Sequence, residues 1–249
     1  MWTNDSRREF LRVSTGIGAG LILIGCGSGT RTESGGETNP PKAAGAEKGG
    51  EVTATEDLMR EHGVLRRALL VYTAVAPRLR RNLSGVPPEA LQKTARLFRA
   101  FGEEYHERML EEAYIFPAVK KAGGPAAAYT DILIAQHQRG REITDYIIAV
   151  TQGAKLDKGK ADVCAQALDS FVLMYRNHAA REDTIVFPAW KQTLTAQQLD
   201  EFGDKFEEIE HRQFGADGFE DAVRQISDIE GSLGLSDLSQ FTAPPPPKL

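Results

Sequence analysis

Cysteine is scarce in this 249-residue chain: Cys26 and Cys164 are the only two. They are too few and too far apart for a disulfide framework or a thiolate zinc site, so any metal has to be held by histidine and carboxylate. A basic excess is missing too. With 35 acidic against 30 basic side chains and a net charge of -5, the chain is a poor binder of phosphate backbones, and no nucleic-acid partner is expected. No run alternates apolar and polar residues as a half-buried strand would. Apolar residues are not lacking: 41% hydrophobic against 26% charged is enough to bury a core, which excludes disorder as the default. Histidine is rare, and the argument turns on where the five fall: His62, His106, His137, His178 and His211.

The N-terminus reads as an address rather than as part of the fold. Ser6-Arg7-Arg8-Glu9-Phe10-Leu11-Arg12 precedes an uncharged run from Val13 to Ile24, too short to span a bilayer as a mature helix. The paired arginines resemble the twin-arginine export signal, with Arg12 where the pattern has lysine. Leu23-Ile24-Gly25-Cys26 is similar to a bacterial lipobox, which implies that Cys26 becomes the lipidated first residue. Residues 1–26 are thus expected to be a signal, and 27–53, rich in Gly, Ser, Thr, Pro and charge, a flexible linker. The expected location is the periplasm or a membrane surface, with membrane contact only through the lipid anchor. The twin-arginine route commonly exports folded proteins with a cofactor already installed, which makes a metal a natural expectation.

From about Thr55 the spacing becomes helical. Leu58, His62, Leu65, Leu69, Tyr72 and Ala76 recur every three or four residues, after Glu56 and Asp57 at the helix start. A second helix follows Pro87-Pro88 and ends at Gly123-Gly124-Pro125; a third runs from about Ala126 to Val150 and a fourth from about Ala161 to Trp190. A fifth is expected within 193–235, with Phe202, Phe206 and Ile209 as its stripe, then a proline-rich tail over 236–249. The fold class is all-α, an antiparallel up-down bundle over 54–192 with an additional C-terminal helix.

The halves repeat. Glu111 with Ile115-Phe116-Pro117-Ala118 matches Glu182 with Val186-Phe187-Pro188-Ala189 at an offset of 71; His106 and His178 are offset by 72, and His62 and His137 by 75. A single histidine on an apolar stripe is usually a hydrogen-bonded core residue. Four of them on four successive helices, two followed about a turn later by a carboxylate, would cost several kcal/mol to bury without a partner, and a metal centre offsets that cost. An imidazole and carboxylate shell without thiolate suits iron or manganese, and zinc less exclusively. Two carboxylates from symmetry-related helices can bridge a pair of ions.

These motifs resemble the hemerythrin-like, or HHE cation-binding, domains. Their pattern falls here on His62, on His106 through Glu111 to Phe116-Pro117, on His137, and on His178-Ala179-Ala180-Arg181-Glu182 to Phe187-Pro188. The resemblance covers about Thr55 to Trp190. It implies a non-haem centre of two iron ions, carboxylate-bridged and oxo- or hydroxo-bridged, held by His62, His106, Glu111, His137, His178 and Glu182. It implies dioxygen, nitric oxide or peroxide as the small ligand. Two departures stand out. His106 and Glu111 are five apart, about 140° on an ideal α-helix, which leaves Glu107 competing for the ligand role. Oxygen carriers have a histidine four after that of the third helix, where this chain has Arg141. Glu142 and His211 are the candidates to replace it, or the site is more open. His211 points away from the apolar stripe of a continuous fifth helix and is expected in solvent, unless Gly215-Ala216-Asp217-Gly218 breaks the helix and turns Glu210-His211 inward. No acid/base or nucleophile apparatus is evident elsewhere, so the chain reads first as an O2 or NO binder or sensor. Its alternatives are a di-iron oxidoreductase acting on peroxide or ferrous iron, an iron store, and last a metal-free interaction module.

Overall fold

The structure is a computed structural model that describes residues 52–247 except 82–85, 155, 157 and 216. The signal expected over 1–26, with Cys26, and nearly all of the linker lie outside the described residues. Among the described residues every regular element is a helix.

Four rods form the bundle. The first is α1 (Ala54–Arg81), opened by a reciprocal cap in which the Glu56 amide donates to Thr53 Oγ1 and the Thr53 amide to Glu56 Oε2. Arg78, Arg80 and Arg81 sit at its C-terminal end, where the helix dipole favours positive charge. The second rod, 88–122, begins as α2 (Pro88–Leu97), widens into a π-helical stretch (Phe98–Ile115) and tightens again as α3 (Phe116–Ala122). Gly123 and Gly124, with φ of 75° and 76°, reverse the chain into α4 (Gly124–Val150), the third rod. The fourth, 161–192, is α5 (Ala161–Arg181), a short π-helical stretch (Glu182–Val186) and α6 (Phe187–Gln192).

Apolar residues at helical spacing fill the interior: Leu58, Tyr72 and Val75 from α1, Leu91 and Phe98 from the second rod, Ile147 from α4, and Leu168 and Phe171 from α5. Cys164 lies in this core as a free thiol, its pKa pushed up to about 11 by burial, as expected of a packing residue. No helix among the described residues is long and apolar enough to cross a membrane.

The single fifth helix expected within 193–235 is instead two, α7 (Ala196–Phe214) and α8 (Gly218–Ser232). Gly215 takes φ of 72° at the end of α7, and the Asp217 side chain caps α8 by accepting from the Glu220 amide. Phe202 and Phe206 of α7 pack on Trp190 and Tyr114, while Phe219, Ile226 and Ile229 of α8 are buried. The break does turn Glu210 inward, where its Oε1 accepts from the Phe219 amide at 2.6 Å. His211 stays exposed, so the replacement ligand considered at that position is not supplied.

Candidate metal centre

Each rod delivers one histidine to the middle of the bundle. His62 comes from α1, His106 from the π-helical stretch, His137 from α4 and His178 from α5; all four are buried. They meet in pairs. His62 Nε2 lies 3.0 Å from His106 Nε2, and His137 Nε2 lies 3.0 Å from His178 Nε2.

Two fully buried carboxylates lie between the pairs. Glu111 Oε1 is 3.4 Å from His106 Nε2, and its Oε2 is 3.3 Å from His137 Nε2. Glu182 does the same with the other two: Oε2 is 3.5 Å from His62 Nε2, and Oε1 is 2.9 Å from His178 Nε2. Each carboxylate thus spans from one histidine pair to the other. None of the four oxygens takes a well-formed hydrogen bond. Buried carboxylate oxygens without hydrogen bonds are costly, and donor atoms gathered as His62, His106 and Glu111, and as Glu111, His137, His178 and Glu182, are what cations would satisfy.

The spacing conflict on the second rod is resolved by the backbone. In a π-helix the bonding runs from i to i+5, so a residue five on returns to about the same face. The stretch Phe98–Ile115 contains both His106 and Glu111, which is how a five-residue gap puts both on the site. The Phe-Pro pairs anchor this geometry. A proline collides with the carbonyl four residues back and offers it no N–H, so Pro117 and Pro188 disfavour α-helical bonding there. In both halves the preceding phenylalanine amide bonds the carbonyl of the candidate carboxylate ligand instead, Phe116 to Glu111 and Phe187 to Glu182.

With Nε2 turned to the centre, every Nδ1 is left to hydrogen-bond outward. His106 Nδ1 meets Glu61 Oε2 at 2.6 Å, His62 Nδ1 meets Asp183 Oδ1 at 2.7 Å, His137 Nδ1 meets Glu112 Oε1 at 2.8 Å, and His178 Nδ1 meets Gln136 Oε1 at 2.9 Å. An outward partner of this kind fixes ring orientation and leaves the inward nitrogen free to ligate. Arginines complete the pattern: Arg66 bonds Asp183, and Arg141 Nη2 donates to Glu112 Oε1 at 2.6 Å. Sequence reasoning missed these partners. The signal was present, because Glu61 and Gln136 directly precede His62 and His137, Glu112 and Asp183 directly follow Glu111 and Glu182, and both arginines stand four after a histidine.

Glu107, the competitor on the second rod, is buried but occupied elsewhere. Tyr175 Oη donates to its Oε1 at 2.7 Å and Arg141 Nη2 to its Oε2 at 3.2 Å. Gly140 permits this, since a Cβ there would stand 2.0 Å from the Tyr175 hydroxyl. Glu142 is exposed beside Arg139 and reaches nothing at the centre, so the second candidate to replace the fifth histidine also falls away. The position is filled by Arg141 as part of the surrounding polar frame.

Burial works against charge on His106 and His137. Glu111 and Glu61 outweigh it for His106, and Glu107, Glu111 and Glu112 for His137, so both imidazole pKa values stand well above 6.5. Burial likewise opposes the Glu111 carboxylate, yet the charges of His106 and His137 hold it well below the usual range. His106, His137 and Glu111 therefore favour imidazolium beside carboxylate, and a cation bound there would replace the ring protons.

The hemerythrin HHE cation-binding domain matches residues 53–190. Proteins described as uncharacterized in Mycobacterium bovis and in two strains of Mycobacterium tuberculosis are each 42% identical over 240 residues, spanning 95% of this chain and 90% of theirs. No solved structure matches.

Proposed function

The chain belongs to the hemerythrin HHE cation-binding family, and we propose that it holds two iron ions and binds or senses a small ligand such as dioxygen or nitric oxide. One ion would take His62 and His106, the other His137 and His178, with Glu111 and Glu182 bridging. The observation that carries this reading is the set of four bridging oxygens, buried, without hydrogen bonds and each beside an imidazole Nε2.

The donor set favours iron over a closed zinc site: imidazole with carboxylate and no thiolate suits iron, which would supply reversible redox chemistry and affinity for diatomic ligands. A cavity of about 10 Å³ opens onto the centre itself, lined by His62, His106, Glu111, His178 and Glu182 and by Leu65, Leu69 and Phe98, and is too small for an organic substrate.

A di-iron oxidoreductase acting on peroxide or ferrous iron is the second reading. Arg141, standing where oxygen carriers have their fifth histidine, favours it by leaving the shell less filled. Iron content with the optical spectrum decides between them. Two irons and a charge-transfer band that reverses on removing oxygen support binding, whereas peroxide loss with irreversible bleaching supports turnover. The Arg7-Arg8 and Cys26 motifs extend the proposal to a lipid-tethered protein outside the cytoplasm, and Cys26→Ala should then release the mature chain from membranes without detergent.

A further inference from the structure

We propose that the two ions are held unequally, the one at His62 and His106 more tightly than the one at His137 and His178. The proposal rests on the dinuclear reading above. The directly facing donors do not favour the first ion: His62, His106 and Glu111 gather there with Glu182 Oε2 3.5 Å from His62, whereas Glu111, His137, His178 and Glu182 gather at the second. The inequality comes from what stands behind the rings.

The Nδ1 partners are paired by the internal repeat, and one pair is mismatched. Asp183 behind His62 corresponds to Glu112 behind His137, carboxylate to carboxylate. Glu61 behind His106 corresponds to Gln136 behind His178, carboxylate to amide. A carboxylate accepting from Nδ1 draws the proton toward itself and makes Nε2 a stronger donor, while a neutral amide orients the ring with far less effect. The bond lengths agree, 2.6 Å to Glu61 against 2.9 Å to Gln136. Tyr105 Oη donates to the other Glu61 oxygen at 2.9 Å, which fixes the carboxylate in place.

The arginines push the same way. Arg66, beside Asp183, has a side chain 45% exposed, so water screens its charge. Arg141, beside Glu112, is 9% exposed and keeps its positive field inside the protein, near the second ion. Glu107 returns a negative charge to that side, but it is shared between Arg141 and Tyr175. The His62 and His106 ion therefore sees two carboxylates and a screened cation. Its neighbour sees carboxylates already engaged by a buried cation, and an amide. A chain at limiting iron would carry one ion and complete the pair only as iron rises, so that occupancy of the second position reports supply.

The test is anaerobic titration of the full chain with ferrous iron, followed by calorimetry and by spectroscopy of the bound metal. The wild type should bind two irons in two steps, with affinities about 10- to 100-fold apart, the usual effect of such outer partners. Gln136→Glu should raise the weaker step and merge the two. Glu61→Gln should lower the stronger step by a similar factor and also merge them. His178→Ala should keep one iron nearer the higher affinity, and His106→Ala one iron at the lower. Circular dichroism of each metal-free variant confirms that it is folded. Two irons of equal affinity in the wild type, or unchanged separation in Gln136→Glu, would overturn this proposal alone. Fewer than two irons in the wild type would overturn the dinuclear reading and this proposal with it.

Discussion

The two halves of the bundle place the same carboxylate by different helices. In 88–122 the histidine and glutamate are five apart, and a π-helical stretch of 18 residues carries both. In 161–192 they are four apart, an α-helix holds His178, and a π-helical stretch of 5 residues starts only at Glu182. The shared part lies downstream, where the phenylalanine amide before each proline binds the glutamate carbonyl. The buried glutamate is thus positioned from its C-terminal side by Phe-Pro, and the histidine spacing is free to differ as long as the helix upstream widens to match.

The strongest challenge to this equivalence is to remove each carboxylate. Glu111→Ala and Glu182→Ala should lower iron content alike and destabilise the chain by about 3 to 5 kcal/mol, since each leaves buried imidazoles without their counter-charge. Glu107→Ala should keep both irons. Metal analysis with thermal melts would break the comparison if Glu107→Ala emptied the site or if either ligand variant kept full metal.

Proton competition comes next. The raised pKa values of His106 and His137 stabilise the metal-free fold at pH below about 6.5, and that contribution is lost as pH rises through the higher folded values. Iron needs both rings deprotonated, so it gains over the same interval. The stability gap between loaded and metal-free protein should therefore widen with pH above about 6.5, by up to about 3 kcal/mol per pH unit if two protons are displaced. Melting both forms from pH 6 to 9 measures it, and a flat gap would mean the histidines are not the displaced groups.

The prolines sharpen the contrast between halves. Pro117→Ala permits α-helical bonding where a five-residue gap cannot tolerate it, and should weaken iron binding about 10-fold, about 1.4 kcal/mol. Pro188→Ala permits it where a four-residue gap fits an α-helix, and should do much less. Equal losses would show that the prolines act by packing alone. The smallest effect should be at His211→Ala and Glu142→Ala, two exposed residues outside the centre, for which iron content and melting temperature should stay at wild-type values.

The candidate ligands were legible because chemistry and repetition coincide at them: six residues of metal-binding type recur at nearly constant offsets. The four rods were legible from apolar spacing and from Pro87-Pro88 and Gly123-Gly124. What stayed hidden depends on backbone states that residue types express weakly. A π-helix has no strong composition of its own, so the five-residue gap read as a conflict. Nothing in the Phe202, Phe206 and Ile209 stripe announces that the helix stops at Gly215, although the glycines and Asp217 were candidate breakers. The partners of the histidines were hidden for a different reason. Glu61, Glu112 and Asp183 look like ordinary surface charge in a chain that is one quarter charged, and only the fold turns them onto rings of other rods.

Those crossings set an order of assembly. His62 is oriented by Asp183, 121 residues away, and Glu182 beside it supplies an oxygen to the same position. On the two-iron reading, a chain with only its first three rods docked would have His62, His106 and Glu111 gathered but would lack His178 and Glu182, so the second position would be missing half of its donors. Capture of the second ion would then be a late event that rewards completed folding. On that reading iron should slow unfolding, because the last rod cannot leave without withdrawing His178 and Glu182 from the centre.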